Sequence, residues 1–185
     1  MRIIAGEFRG RRIAVAPNPG LRPTPDRVRE TLFNWLGQRL DGLACLDLFA
    51  GSGALGFEAA SRGAARVVMV EQERTIHAAL RKFQDAIASK NTQLVLGDAY
   101  AYLANCEERF DVVFLDPPFR QNALPGLLER LPARLAPGAR VYLEAPEPAE
   151  AQAPWNELRR ARAGRVSYQL LEWRNDDQGR LSGNV

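Results

Sequence analysis

The apolar residues of this chain fall into short continuous runs, separated by segments in which they recur every three or four positions. The runs predict strands at 43–49, 65–71, 92–97, 110–115 and 139–144, and the periodic segments predict helices at 53–62, 73–88, 99–107 and 122–135. Strands that are apolar throughout are typical of a parallel sheet covered by helices on both faces. The pattern therefore predicts an α/β fold with a mostly parallel sheet.

The two ends of the chain depart from this alternation. Residues 2–15 alternate short apolar and basic pieces around two glycines, which predicts a small basic β-hairpin. Residues 158–163 and 165–173 predict two further strands joined at Gly164, so that a C-terminal hairpin gives the sheet an antiparallel edge.

A helix is predicted just before the alternating region. Residues 17–23 form a turn-rich connector, and Thr24 can cap a helix that has Pro25 at its first position. The apolar face of this helix comprises Val28, Leu32, Trp35, Leu36 and Leu40. We therefore expect a basic hairpin and connector over 1–23 and one larger domain over 24–185.

Composition is that of a globular protein with a full core. The chain has 185 residues, of which 46% are hydrophobic and 25% charged, and no apolar stretch is long enough for a membrane span. The N-terminus lacks the apolar segment of a secretory signal, and Cys45 and Cys106 do not suggest a disulfide framework. These features predict a cytoplasmic protein.

Positive charge is concentrated at the N-terminal end. Residues 1–40 contain eight arginines and three acidic residues, whereas the whole chain has a net charge of only +3. Arginine forms bidentate contacts with phosphate, so the segment is a candidate nucleic-acid surface, although a solvated basic face is the simpler alternative. The candidate RNA contacts are Arg9, Arg11, Arg12 and Arg27.

A glycine-rich loop follows the first strand of the alternating region. Gly51, Gly53 and Gly56 form a G-x-G-x-x-G pattern, which favours a tight turn and close approach of the backbone to a ligand. Glu71 ends the next strand, where an acid can accept both hydroxyls of a ribose. The loop alone is weak evidence, because glycine turns between a strand and a helix are common.

Two ligands fit this layout, namely a dinucleotide such as NAD and S-adenosylmethionine. Asp47 precedes the loop, where an acid suits the ammonium of S-adenosylmethionine and not a pyrophosphate, and no constellation for hydride transfer is evident. Asp98 ends the third strand. Either acid could instead serve only to cap a helix.

The segment Asp116-Pro117-Pro118-Phe119 closes the fourth strand. Its prolines make the turn rigid and remove two N–H donors. The Asp116 carboxylate and the Pro117 carbonyl could accept both hydrogens of an amino group on a planar ring, while Phe119 stacks on that ring. The segment favours S-adenosylmethionine over NAD, because it lies where a transferable methyl group is expected.

This turn resembles the Asp/Asn/Ser-Pro-Pro-aromatic motif of class I methyltransferases that act on exocyclic amines. Residues 2–13, 22–35, 47–53 and 166–174 are similar to the bacterial family that methylates guanine N2 in 16S ribosomal RNA. The similarity covers nearly the whole chain; Pro25 is a local departure, since the family more often has threonine there. It implies a Rossmann-like methyltransferase sheet and a monomer that acts on one guanine in the small-subunit RNA or particle.

The same resemblance implies a role for each matching residue. The product would be S-adenosylhomocysteine, and no metal would be required. Gly51 and Gly53 would hold the methionine portion, Glu71 the ribose, and Asp98 with Ala99 the adenine. Arg22 and Thr24 would reach the methionine carboxylate. Asp116 and Pro117 would bind the target amine and Phe119 would stack on the guanine.

Several other functions share parts of this pattern. A DNA or RNA adenine-N6 methyltransferase would have the same turn, but only 17 residues separate Asp98 from Asp116, which leaves little room for DNA sequence readout. A protein-glutamine methyltransferase would more often have asparagine at position 116. A non-catalytic RNA-binding assembly factor would not need the glycine loop, Glu71 or Asp116.

Overall fold

A computed structural model describes residues 1–14, 24–118 and 123–174 of the chain. The helices are α1 (Asp26–Leu36), α2 (Ala54–Ser61), α3 (Arg74–Ile87), α4 (Ala99–Asn105) and α5 (Leu124–Arg130). The strands are β1 (Ala44–Asp47), β2 (Arg66–Glu71), β3 (Thr92–Leu96), β4 (Phe110–Leu115), β5 (Leu135–Ala145), β6 (Trp155–Ala163) and β7 (Val166–Trp173).

The seven strands form one sheet in the order β3-β2-β1-β4-β5-β7-β6. The first five strands pair in parallel, while β7 pairs antiparallel with both β5 and β6. This arrangement confirms the predicted mixed sheet and its C-terminal hairpin. The strand order reverses direction between β1 and β4, which is where ligands bind in doubly wound sheets.

Helices cover both faces of the sheet and divide the core in two. One face packs against α1, α2 and α3 through side chains such as Phe33, Phe57 and Phe83. The other packs against α4 and α5 through Leu103 and Leu127. Because both faces are covered, the central strands are apolar along their whole length, as the sequence pattern indicated.

Two predicted helix boundaries are wrong for identifiable reasons. Helix α1 begins at Asp26 with Pro25 as its N-cap, and no side chain caps it, so Thr24 does not have the predicted capping role. The helix predicted over 122–135 ends at Arg130 and continues as a 3₁₀ turn with Pro132 near its start. Proline lacks the N–H that an α-helical hydrogen bond requires.

The N-terminal segment folds back on itself over a shorter length than predicted. One antiparallel bridge joins Arg2 to Arg12, and backbone hydrogen bonds join Ile3 to Arg11 and Ile13 to Met1. The residues between them form a turn and no extended ladder. The predicted hairpin is therefore present as a compact loop closed by a single bridge.

This N-terminal loop is held to α2 by a buried carboxylate. Glu58 accepts backbone N–H groups of Ile4 at 2.8 Å and Ala5 at 3.0 Å, and its carboxylate also pairs with Arg29 and Arg62. The side chains of Glu58 and Arg29 are completely buried. Since two cations and two amides surround one carboxylate, its charge is compensated inside the core.

The backbone of Gly6 lies close to that of Ser61, and this contact also holds the N-terminal loop to α2. Gly6 has φ of +82°, and a Cβ there would lie 1.8 Å from the carbonyl oxygen of Ser61. Ser61 also accepts the N–H of Phe8 through its hydroxyl at 2.9 Å and that of Glu7 through its carbonyl at 2.8 Å. Only glycine can occupy position 6 in this arrangement.

Within the described ranges, no helix has the length and apolar character needed to cross a membrane.

Replacing Glu58 with glutamine should strongly destabilise the fold, because Arg29 would remain buried with an incomplete set of partners. Loss of one partner from a buried ion pair costs about 3–5 kcal/mol. We expect a loss of that size in the free energy of unfolding measured with urea. Asp41→Asn is the matched control: it breaks the exposed Arg39–Asp41 pair and should leave the transition midpoint unchanged. Equal effects of the two changes would contradict the role of Glu58.

Candidate active site

A cavity of about 650 Å³ opens at the carboxyl ends of the parallel strands. It is wide enough for a ligand of nucleoside size. Eight residues predicted from the sequence line this cavity: Thr24, Asp47, Gly51, Glu71, Asp98, Ala99, Asp116 and Pro117. The structure therefore brings into one site residues that are separated by more than 90 positions in the chain.

The glycine loop forms one wall of the cavity between β1 and α2. Gly51 and Gly53 have φ values of +50° and +79°, and Gly53 is the N-cap of α2. A Cβ at Gly53 would lie 2.6 Å from Phe57, and one at Gly56 would lie 2.7 Å from Met69. Gly53 does not itself line the cavity; it shapes the turn, while Gly51 and Ser52 contribute its surface.

Glu71 ends β2 with its carboxylate held by the backbone. One carboxylate oxygen accepts the N–H of Gly51 at 2.9 Å and the other accepts that of Glu73 at 2.7 Å. Each carboxylate oxygen has a second lone pair, so both retain capacity to accept a ligand hydroxyl. These contacts fix the position of the Glu71 side chain and leave both of its oxygens able to accept a hydrogen bond from a ligand.

Asp47 is the most deeply buried acid of the cavity wall. Its Oδ2 accepts the N–H of Gly56 at 3.0 Å in the first turn of α2. Burial raises the pKa of Asp47 to about 7, an effect opposed by hydrogen bonds from the Gly56 and Phe49 backbone. Asp47 therefore does accept a hydrogen bond in the first turn of α2, as the helix-capping alternative predicted. The same carboxylate also faces the cavity.

Asp98 also caps a helix and lines the cavity. It is the N-cap of α4, and its Oδ1 accepts the N–H of Ala101 at 2.9 Å. Ala99 is buried beside it, and Thr24 lies buried at the start of the segment leading into α1. Asp98 and Ala99 line the cavity at the start of α4, and Thr24 lines it from the segment before α1.

Asp116 and Glu144 lie side by side where the pairing of β4 with β5 ends. The last residues paired between these two strands are Leu115 and Leu143, and each acid is the next residue in the chain; Asp116 follows β4, and Glu144 is the second-last residue of β5. Burial raises the pKa of Asp116 well above its ordinary value, with further contributions from the negative charges of Glu144 and Asp47. Burial likewise raises the pKa of Glu144, while a hydrogen bond from Tyr142 opposes the shift.

Glu144 and the C-terminal hairpin are cavity residues that the sequence analysis missed. Gly164, Arg165 and Tyr168 line the cavity from the tip of the β6–β7 hairpin and the strand beyond it. Glu144 carries a signal that could have been recognised, because it follows the apolar residues Val141–Leu143 as the other strand-end acids follow theirs. The hairpin tip has no comparable motif.

The predicted RNA-contacting arginines lie apart from the cavity lining. Arg9, Arg11, Arg12 and Arg27 are exposed. Their contact with RNA stays a prediction. Arg22 and Phe119, the remaining predicted site residues, and the whole 17–23 connector lie outside the described residues.

The sequence and fold of this chain match known proteins over nearly their full length. The model of the family described as Conserved hypothetical protein 95 matches residues 1–172. Ribosomal RNA small subunit methyltransferase D of Escherichia coli strain K12 is 41% identical over 177 residues, which cover 93% of this chain and 89% of that protein. The protein of the same name from Haemophilus influenzae is 40% identical and covers 93% of each chain.

A solved structure agrees with the sequence match. The Escherichia coli methyltransferase yhhF superposes with a TM-score of 0.85 at 41% identity, over 94% of this chain and 98% of that one. The chain belongs to the ribosomal RNA small subunit methyltransferase D family. The family match covers the N-terminal loop as well as the sheet.

Across residues 1–14, 24–118 and 123–174, no cluster of three or more histidine, cysteine, aspartate or glutamate side chains could hold a metal ion.

The raised pKa of Asp47 predicts a pH-dependent cost to the fold. Between its ordinary pKa of 3.8 and about 7, the folded protein keeps a proton that the unfolded chain releases, so stability falls as pH rises through this window. Asp47→Asn should remove this cost while its amide oxygen still accepts the Gly56 N–H. The unfolding free energy of the variant relative to wild type should rise by up to about 4 kcal/mol between pH 4 and pH 8. A constant difference across this range would show that Asp47 does not titrate as described.

Proposed function

We propose that this protein transfers a methyl group from S-adenosylmethionine to the exocyclic N2 amine of a guanine in 16S ribosomal RNA. The observation that carries the proposal is the position of Asp116 and Pro117 in the same cavity as the glycine loop and Glu71. Family membership supports the reaction class and the RNA substrate. The acids and backbone groups of the cavity fit a ligand that combines a ribose, an adenine and an amino acid.

The cofactor residues follow the order of the strands across the cavity. Gly51, with Gly53 shaping the turn, lies against the methionine portion, and Asp47 balances its ammonium charge. Glu71 accepts the two ribose hydroxyls through its free lone pairs. Asp98 and the Ala99 backbone bind the adenine. Placing a cation beside Asp47 stabilises its ionised form and so offsets the cost of its burial.

Arg22 and Thr24 complete the methionine end of the site. Thr24 lines the cavity just before α1, so its hydroxyl can reach a carboxylate there. Arg22 lies two residues earlier in the chain, and its positive charge pairs with the same carboxylate. The bound S-adenosylmethionine supplies an electrophilic methyl group on a positively charged sulfur.

Asp116 and Pro117 position the target amine. The guanine 2-amino group is a poor nucleophile because its lone pair is delocalised into the ring. When the Asp116 carboxylate and the Pro117 carbonyl accept its two hydrogens, the nitrogen can become pyramidal and direct its lone pair at the methyl group. Phe119 stacks on the guanine ring. Most of the catalysis is then positioning, with the reacting atoms about 3 Å apart.

The raised pKa of Asp116 suits it to the proton that transfer releases. The methylated nitrogen is strongly acidic until it loses a proton, and Asp116 accepts that proton or passes it to water. Asp116 must be ionised before the reaction to accept the amine hydrogens. The positive sulfonium and the amine donors both favour this ionised form when the site is filled.

The N-terminal loop and the start of α1 supply the RNA-binding surface. Arg9, Arg11 and Arg12 of the loop and Arg27 of α1 are exposed and can contact phosphates. Glu58 and Ser61 hold this loop to α2, so the basic surface has a defined position relative to the cavity. The target base must be single-stranded or flipped out to reach Asp116. The protein acts as a monomer in the cytoplasm on the small ribosomal subunit or its RNA.

The decisive test is to incubate the protein with methyl-labelled S-adenosylmethionine and undermodified small ribosomal subunits. Mass spectrometry of the digested RNA should identify N2-methylguanosine. Labelled N6-methyladenosine would retain the methyl-transfer mechanism but change the target base. The absence of label in RNA, with S-adenosylhomocysteine still bound to the protein, would favour a DNA or protein target or a non-catalytic role.

Asp116→Ala should abolish methyl transfer, since the amine loses its main acceptor, while S-adenosylhomocysteine affinity should stay within a few-fold. Asp116→Asn is the matched variant, because it keeps an acceptor oxygen and should retain measurable activity. Transfer is measured on small subunits and affinity by calorimetry. A parallel loss of activity and affinity in the alanine variant would argue against the assigned role.

Arg11→Glu combined with Arg12→Glu should weaken RNA binding and make it less sensitive to salt. Loss of about two phosphate contacts should reduce the slope of log affinity against log salt concentration by about 1.5 to 2. The control with the same charge change is Arg81→Glu combined with Lys82→Glu, on the exposed face of α3. If both double variants bind RNA equally across salt concentrations, the N-terminal loop is not the RNA-binding surface.

A further inference from the structure

Glu144 is an acid of the cavity that the mechanism above does not use. It is buried, lines the cavity, and lies beside Asp116 where the pairing of the parallel strands β4 and β5 ends. Strand side chains alternate between faces, and Tyr142 hydrogen-bonds to Glu144 from two positions earlier, so both lie on the face that carries the site.

The carboxylate of Glu144 has a fixed orientation and a free acceptor. Tyr142 donates its hydroxyl to Oε1 at 2.6 Å, and Tyr142 is itself fully buried. Among the residues that the structure describes, no other group donates a hydrogen bond to this carboxylate. Because Glu144 lines the cavity, its Oε2 is the oxygen left for a donor that enters there.

The Watson–Crick edges of the purines differ beside the amino group. In guanine the 2-amino group is next to N1–H, which is a second donor. In adenine the 6-amino group is next to an unprotonated N1, which is an acceptor. A carboxylate beside the amine-binding group would therefore accept from guanine and repel adenine.

We propose that Glu144 is a specificity-determining residue that accepts a hydrogen bond from guanine N1–H while Asp116 and Pro117 hold the 2-amino group. Tyr142 is its positioning residue. The inference rests on the proposed function and adds the selection of guanine over other bases. A site that binds a substrate N–H rejects an analogue lacking it, because the buried acceptor is then left without a partner.

The test uses small subunits reconstituted with 16S RNA that carries either guanine or 2-aminopurine at the methylated position. 2-Aminopurine keeps the 2-amino group, but its N1 is an acceptor. For wild-type protein, kcat/KM should be at least about tenfold higher with guanine than with 2-aminopurine. Glu144→Gln should lower kcat/KM for guanine about 10- to 100-fold, the range expected for a lost charge-assisted hydrogen bond.

The informative readout is the ratio of the two rates. A glutamine amide can donate to N1 of 2-aminopurine, so Glu144→Gln should raise the rate on 2-aminopurine relative to guanine by at least about tenfold. Tyr142→Phe should shift the ratio in the same direction by a smaller factor. Glu172→Gln, an acid of β7 paired with Arg174 away from the cavity, should leave both rates and their ratio unchanged.

Separate outcomes identify which inference fails. If wild-type protein methylates no guanine in the subunit, the proposed function fails. If it methylates guanine but accepts 2-aminopurine equally well, or if Glu144→Gln slows both substrates by the same factor, the role of Glu144 is overturned. S-adenosylhomocysteine affinity reports whether each variant is folded; should Glu144→Gln lose that binding, the rate ratio of Tyr142→Phe decides, and an unchanged ratio overturns the proposal.

Discussion

The buried carboxylate of Glu58 is the interaction on which the arrangement of this protein depends. It lies on α2, the helix that begins at the glycine loop, and it binds the N-terminal loop by two backbone amides and α1 through Arg29. A charge in a protein core is tolerated only when its partners are complete. One residue therefore joins the basic surface, the first helix and the wall of the cavity into a single unit.

The acids of the cavity impose a second electrostatic constraint, because their charges are not balanced as that of Glu58 is. Glu58 is balanced by cations from its own chain, whereas Asp47, Asp116 and Glu144 face the cavity with raised pKa values and no basic partner in ion-pair contact within the described ranges. Such a cluster is costly in the empty protein. A positively charged ligand and hydrogen-bond donors that enter the cavity favour the ionised carboxylates, so ligand binding offsets part of the cost of burying them.

Most of the fold could be predicted because burial on both faces makes the parallel strands apolar throughout, and their carboxyl ends mark the site. Asp47, Glu71, Asp98 and Asp116 were all found at such ends. The extent of the N-terminal hairpin was not predictable from alternation alone, because Gly6 and Ser61 impose a turn through contacts far apart in sequence. The wall formed by Gly164 and Arg165 was missed for a similar reason, since only the antiparallel register of β7 brings it to the cavity.

The position of β7 between β5 and β6 has a consequence for synthesis on the ribosome. Among the described strands β6 pairs only with β7, so it has no place in the sheet until the later strand has emerged. The nascent chain can form the first five strands and the glycine loop early, since domains fold from the N-terminus during translation. Its cavity nevertheless lacks one wall until residues 164–168 are released. A nascent chain halted before this point would have the parallel sheet without a complete binding site.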